Sequence, residues 1–199
     1  MKFLTFVDLH EDKKYLKALV SRAKEEDIDF VICAGDITMF GRGLRYVLKQ
    51  FNDLGKKFYL IPGNHESDRM INEVVGDYEN VVNFHKKLFK IENYVFMGYG
   101  GGGFALEDPE FRKVSRDWYS KHQDDKTVLI THGPPYGMKM DNLKDHGHVG
   151  NKDYRKFIER IKPRLVICGH LHENINMQEA IGKTKIIHPG WEGMVIELS

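Results

Sequence analysis

The chain has 199 residues, 41% of them hydrophobic and 30% charged, and its 30 Lys and Arg against 29 Asp and Glu leave a formal net charge of +1. That balance describes one globular domain over residues 1–199 and excludes a disordered polyampholyte, a collagen-like repeat and a binder that works through bulk positive charge. Two cysteines, Cys33 and Cys168, cannot make a disulfide framework, and the apolar run Phe3 to Val7 is too short for a signal segment or a membrane span. The expectation is a cytoplasmic protein with no membrane partner and no strong nucleic-acid signal. The conspicuous excess is ten histidines.

In chain order, Lys2 to Val7 reads as a buried strand, and Asp12 to Asp27 carries Leu16, Leu19, Val20 and Ala23 at helical spacing. Phe30 to Ala34 is a second strand that stops at Gly35. A helix over Leu44 to Leu54 ends at Gly55, and a strand over Lys57 to Ile61 runs into Pro62-Gly63. This alternation predicts βαβ units and a parallel sheet. A short helix follows Ser67. Val81 to Phe84, Leu88 to Ile91 and Tyr94 to Met97 read as strands, and Glu110 to His122 as a helix. Thr127 to Thr131 and Arg164 to Cys168 are strands flanking a helix over Lys152 to Ile161, with Asn151 as its N-cap. Asn174 to Glu197 has the short alternating runs of antiparallel strands.

Five strand-like runs end in polar clusters: Asp8-Leu9-His10, Gly35-Asp36, Gly63-Asn64-His65-Glu66, His132-Gly133-Pro134, and Gly169-His170-Leu171-His172. In an open α/β sheet the carboxyl ends of the strands converge on one crevice, so these loops are expected to share a site. A single cluster of this kind is an ordinary turn; all five together are not. Asp8, His10, Asp36, Asn64, His132, His170 and His172 form a mixed nitrogen and oxygen set without thiolate, which suits Mn²⁺, Zn²⁺, Fe or Co²⁺. Seven donors are enough for two divalent ions about 3.5–4 Å apart if one carboxylate bridges them, an arrangement that acidifies a bridging water for attack on phosphorus.

The series Asp8-x-His10, Gly35-Asp36, Gly63-Asn64-His65-Glu66, His132 and Gly169-His170-x-His172 resembles the calcineurin-like metallophosphoesterase superfamily. The resemblance implies an α/β four-layer sandwich of two mixed β-sheets flanked by helices. It implies Asp8, His10, Asp36 and His172 on one ion and Asp36, Asn64, His132 and His170 on the other. His65 is then the catalytic residue, assisting departure of the leaving group while a hydroxide held between the ions attacks. The implied substrate is a small phosphate ester.

One departure narrows the class. Where protein Ser/Thr phosphatases of the superfamily carry Gly-Asp-x-x-Asp-Arg-Gly, this chain has Gly35-Asp36-Ile37-Thr38-Met39-Phe40-Gly41, without the Asp and the phosphate-gripping Arg. The stretch Thr131 to Gly137 with His148-Val149-Gly150 instead resembles small bacterial and archaeal phosphoesterases. Phosphodiesters are favoured because a diester carries less charge to neutralise. The alternatives are a phosphomonoesterase of the same mechanism and a non-catalytic scaffold that keeps the fold.

Other features are read more plainly. Gly98 to Gly103 matches GxGxxG, but no opening βαβ unit surrounds it, so it reads as a turn, or as a place where backbone approaches substrate. Cys33 and Cys168 read as small buried hydrophobes. His148, ahead of the helix at residue 152, is expected to contact phosphate at that helix N-terminus. Tyr136 is a candidate substrate contact, whereas Met138, Met140 and Trp191 read first as core or exposed-loop residues and second as an apolar wall for a nucleobase or an aryl group. His188-Pro189-Gly190-Trp191 reads as a structural turn rather than a pocket wall, and His85 and His122 as surface residues.

Overall fold

A computed structural model describes residues 1–199. In chain order the elements are β1 (Lys2–Phe6), α1 (Lys13–Ala23), β2 (Phe30–Cys33), α2 (Leu44–Asn52), β3 (Lys57–Leu60), α3 (Asp68–Val75), β4 (Val81–Asn83), β5 (Lys87–Ile91) and β6 (Tyr94–Tyr99). There follow α4 (Pro109–His122), β7 (Lys126–Thr131), β8 (Asn142–Leu143), β9 (Gly147–His148), α5 (Lys152–Ile161), β10 (Leu165–Ile167), a 3-10 turn (His172–Asn174), β11 (Gln178–Ile181), β12 (Thr184–Ile187) and β13 (Met194–Glu197).

Two mixed sheets result. The first has the order β13-β1-β2-β3-β4, parallel except for β13, and the second the order β11-β12-β10-β7-β6-β5. In the second sheet β6, β7, β10 and β12 are mutually parallel, and β5 and β11 are antiparallel edges. The carboxyl-terminal region is therefore not one antiparallel meander as its alternation predicts. β12 joins β10 in parallel and β13 crosses to the other sheet beside β1. Pairing partners so far apart in sequence leave no local signature.

Period-two alternation sorts the strand residues into layers. Phe3, Val7, Phe30, Ile32 and Ile61 face Phe84, Phe96, Val128, Ile130, Ile167 and Ile187 between the sheets. Leu4, Phe6, Val31, Phe58 and Leu60 point outward onto Leu16, Leu19, Val47, Phe51 and Ile71 of α1, α2 and α3. On the far side, Val95, Met97, Leu129 and Val166 meet Phe111, Trp118, Tyr154 and Phe157 of α4 and α5. The layers are helix, sheet, sheet, helix. Phe3 and Phe30 stack with centroids 4.9 Å apart and Phe96 meets both edge-on. Each such fully buried ring contributes about 1.5–3 kcal/mol relative to exposure.

The helix starts follow side-chain chemistry. Asp12, Ser67, Asp108 and Asn151 accept backbone amides in the first turns of α1, α3, α4 and α5. The Asn151 cap and the bounds of α5 match the sequence expectation. No helix is long and apolar enough to cross a membrane. His85, expected at the surface, is buried, with Nδ1 accepting from the Gly100 amide at 2.8 Å. Cys33 and Cys168 are buried free thiols.

Candidate metal centre

The loops that follow β1, β2 and β3 in one sheet, and β7 and β10 in the other, open at the same end of the sandwich. Their side chains meet there. Three groups, Asp8 with His10 and His172, His10 with Asp36 and His65, and Asp36 with His132 and His170, each place their ligand-type atoms within 4.8 Å of one another. Asp36 and His10 each belong to two groups. Asn64 joins through its Oδ1, 2.9 Å from His132 Nε2. All seven candidate ligands and His65 are thus in one place.

The backbone is bent to deliver them. Asp8 (φ 56°), His10 (φ 48°), Asp36 (φ 50°) and His170 (φ 75°) all occupy the left-handed region. Non-glycine residues are uncommon there, and such strain persists where the surroundings over-determine it, as at functional sites. Hydrogen bonds supply that determination. The Asp36 carboxylate accepts the His65 amide on Oδ1 at 2.8 Å, and Asp8 Oδ2 accepts the His170 amide at 2.9 Å. Glu66, also buried, ties two loops together by accepting the Thr38 amide (2.6 Å), the Thr38 hydroxyl (2.7 Å) and the Gly63 amide (3.4 Å).

The electrostatics of the pocket call for positive charge. His132 is fully buried and donates Nδ1–H to Ala34 O at 3.0 Å, which turns its Nε2 towards Asn64 Oδ1 at 2.9 Å and Asp36 Oδ2 at 3.4 Å. Burial acts to lower its pKa, yet the Asp36 and Asp8 carboxylates raise it to about 9. Burial acts to raise Asp36, and the hydrogen bond and charge of His132 hold it at about 2. Asp8 is raised by burial. His10 is lowered by burial, and His170 falls to about 4 through burial and the neighbouring His132.

The donor spacings fit divalent metal ions. Donor atoms about 2.1 Å from a common ion stand about 3.0 Å apart at a right angle and about 3.4 Å apart at the tetrahedral angle. The Nε2 atoms of His10 and His172 are 3.2 Å apart, and His132 Nε2 lies 2.9 Å from Asn64 and 3.4 Å from Asp36. Asp8 Oδ1 and His170 Nε2 are buried without a hydrogen-bond partner, which is costly unless something else satisfies them.

The remaining candidates have partners of their own. Tyr136 packs against His148 at 5.5 Å and under Lys152 Nζ at 5.2 Å. His148 Nδ1 is 2.8 Å from the buried Asp141 carboxylate. The helix N-terminus expected to hold phosphate beside His148 has no free amides to offer. Lys152 N donates to Leu106 O, and Asp153 N and Tyr154 N donate to Asn151 Oδ1. Met138 and Met140 are core residues, so they form no wall of the site.

Three aromatic rings do line it. Phe40 lies 4.4 Å from His65, Phe104 4.5 Å from His170, and Trp191 5.7 Å from His172, centroid to centroid. The glycine run explains how Phe104 arrives. Gly101 N donates to Pro62 O at 2.9 Å, a Cβ on Gly100 would overlap Pro62 O, and the positive φ of Gly101, Gly102 and Gly103 turns the chain so that Gly103 lies beside Asn64 and His170. His188, read as part of a turn, is buried behind Asp8, its Nε2 3.8 Å from Asp8 Oδ2. Only its place after a strand could have pointed to it.

The geometry agrees with comparisons to known proteins. The family model for calcineurin-like phosphoesterases matches residues 1–174. The chain is 31% identical over 200 residues to an uncharacterized protein of Methanocaldococcus jannaschii, covering 95% of this chain and 88% of that one. It is 24% identical over 155 residues to a probable glycerophosphodiester phosphodiesterase of Arcobacter nitrofigilis, covering 72% of this chain and 56% of that protein. Among solved structures, one from Thermus thermophilus superposes with a TM-score of 0.74 at 16% identity, covering 96% of this chain and 90% of that one. A match along most of the chain, on the same two-sheet scaffold and with the His and Asp groups at its open end, means that the chain belongs to the calcineurin-like phosphoesterase family.

Proposed function

We propose that the protein is a binuclear metal-dependent phosphoesterase that hydrolyses small phosphate esters, with phosphodiesters favoured. The observation that carries this reading is the place of Asp36 between the two sets of imidazoles, its Oδ2 4.0 Å from His10 Nε2 on one side and 3.4 Å from His132 Nε2 on the other. On this reading Asp8, His10, Asp36 and His172 hold one ion, and Asp36, Asn64, His132 and His170 the other. Mn²⁺, Zn²⁺, Fe or Co²⁺ suits these donors. Bound there, two such ions supply Lewis acidity that activates water and neutralises the phosphate oxygens.

The protein's own groups do the rest. His65 Nε2 faces the centre, 3.8 Å from Asp36 Oδ2. Carrying a proton at that nitrogen, it would donate it to the leaving oxygen as the phosphorus–oxygen bond breaks, while the water oxygen bonds to phosphorus and gives up one proton to solvent, from which His65 is reprotonated. The His65 amide, bonded to Asp36 Oδ1, fixes acid and bridging carboxylate in one frame, so orientation is set before substrate arrives. The diester preference is supported by the absence of the phosphate-gripping Arg and by the similarity to the Arcobacter protein, whose name is that of a phosphodiesterase.

The test is metal content together with turnover. Protein reconstituted with Mn²⁺ is expected to hold two ions per chain and to cleave bis(p-nitrophenyl) phosphate faster than p-nitrophenyl phosphate. Two bound ions with no hydrolysis of either would leave a metal-binding scaffold instead.

A further inference from the structure

Two of the chain's most exposed large hydrophobic residues lie against the candidate centre. Phe40 is 70% exposed and Phe104 60% exposed. Each touches a different histidine of the site, Phe40 on His65 and Phe104 on His170. An exposed phenylalanine alone needs no explanation, but two placed beside reacting groups do.

Phe40 is held there under strain. Its φ is 55°, in a region that bulky side chains avoid. The buried Glu66 grips Thr38, and the Thr38 hydroxyl accepts the Gly41 amide at 3.0 Å. The loop on both sides of Phe40 is thereby fixed, and the ring is turned outward over His65 instead of into the core. Phe104 is delivered by a different device, the glycine run, in which Gly100 is pressed onto Pro62 and Gly101, Gly102 and Gly103 turn the chain with positive φ. Two unrelated loops thus present a free aromatic face on the two halves of one centre, which is the geometry of a pair of stacking platforms.

We propose that Phe40 and Phe104 are specificity-determining residues that stack planar aromatic groups on the two ester arms of a phosphodiester. Phe40, which covers the proton donor His65, takes the leaving arm, and Phe104 takes the arm that stays. The substrate class is a diester carrying a nucleobase or an aryl ring. This rests on the phosphoesterase reading of the same site.

The experiment uses the Mn²⁺-loaded full chain and two substrate pairs. Thymidine 5′-(p-nitrophenyl phosphate) and methyl p-nitrophenyl phosphate share a leaving group and differ in the retained arm. The phenyl and hexafluoroisopropyl esters of thymidine 5′-phosphate release alcohols of comparable acidity, only one of them planar. Wild type is expected to prefer the planar member of each pair in kcat/KM. Phe104→Leu, which keeps apolar bulk but removes the ring face, is expected to lower the first ratio, and Phe40→Leu the second, by about fivefold or more, with Phe→Tyr restoring each. Both side chains are exposed, and unchanged melting temperatures check that the variants fold.

Calorimetric binding of thymidine 5′-monophosphate against methyl phosphate separates recognition from turnover. If the wild type hydrolyses nothing yet binds the nucleotide more tightly, and Phe104→Leu abolishes that difference, the phosphoesterase reading fails and the recognition role of Phe104 stands. Turnover without preference for planar groups, or ratios unaffected by the Leu variants, overturns the proposal and leaves the phosphoesterase reading intact. A shift in sedimentation on Phe40→Leu with unchanged ratios also overturns it, by assigning that ring to a protein contact.

Discussion

Gly63 and Asp36 are packed so closely that a methyl group on the one has no room beside the other. A Cβ at residue 63 would stand 2.6 Å from Asp36 Cγ and overlap its carboxylate oxygen and amide nitrogen. Part of that obstacle is backbone and cannot swing aside. Gly63→Ala is therefore expected to displace the carboxylate shared by both groups, costing about 1–3 kcal/mol of stability and lowering metal content at both positions. Metal analysis and urea unfolding of the purified variant check this. Two tightly held ions in the Ala variant would mean that the loops yield more than their packing indicates.

The division between ligand and proton donor is separable by substitution. Asp36→Asn should weaken both ions together. His65→Ala should keep them and lose about 100- to 10,000-fold in kcat, the range for removal of a general acid or base, with the larger losses on esters of poor leaving groups. Loss of an ion from the His65→Ala protein would place His65 among the ligands, beside His10 and Asp36, with which it is grouped.

Asp141 organises the loop between β7 and α5. Its carboxylate accepts the amides of Gly137 (3.1 Å), Met138 (2.6 Å) and Gly150 (3.0 Å) and meets His148 Nδ1 (2.8 Å), all while fully buried. Asp141→Ala is expected to cost about 2–4 kcal/mol because buried donors lose their acceptor. His148→Ala, which removes one exposed partner, should cost under about 1 kcal/mol and leave kcat/KM within about twofold, a margin under about 0.5 kcal/mol in the barrier. Chemical denaturation of the two variants side by side tests the ranking.

Acid should destabilise the protein partly through His85. Burial holds its pKa down to about 4, against 6.5 when unfolded, so between these values the unfolded chain binds more protons. The stabilisation is complete above pH 6.5 and is lost as pH falls towards 4, by on the order of 3 kcal/mol at most. His85→Asn keeps an acceptor for the Gly100 amide but does not titrate. Its unfolding free energy should fall less steeply between pH 6.5 and 4 than that of the wild type. Parallel slopes would show that His85 takes up its proton equally in the folded and unfolded chain, so that its pKa is not held down.

Legibility followed the range of the interaction that decides each feature. The ligand loops could be read because each is a polar cluster ending an apolar strand, and Asn151 because capping is local. The placing of β12 beside β10 and of β13 beside β1 could not, since no neighbour in sequence dictates it. Met138 and Met140 follow a ligand loop, yet they pack in the core, the reading favoured for them over a pocket wall. The long-range anchor at Asp141 and the contact of Asn174 Nδ2 with Met140 O at 3.0 Å turn that segment inward. Phe40 and Phe104 were missed for the opposite reason: hydrophobic residues default to the core, and their only local signals are the adjoining Gly41 and Gly103.

The two sheets have a consequence for how the molecule holds together. Asp8, His10, Asp36 and Asn64 are carried by the first sheet, and His132, His170 and His172 by the second. Any ion gripped by both sets is a clasp across the open edge of the sandwich, binding free energy that only the closed form can collect. Chelation should then do more than silence chemistry. It should let that edge gape, speeding amide exchange after the carboxyl ends of β1, β2, β7 and β10 while the far end of the sandwich stays shut.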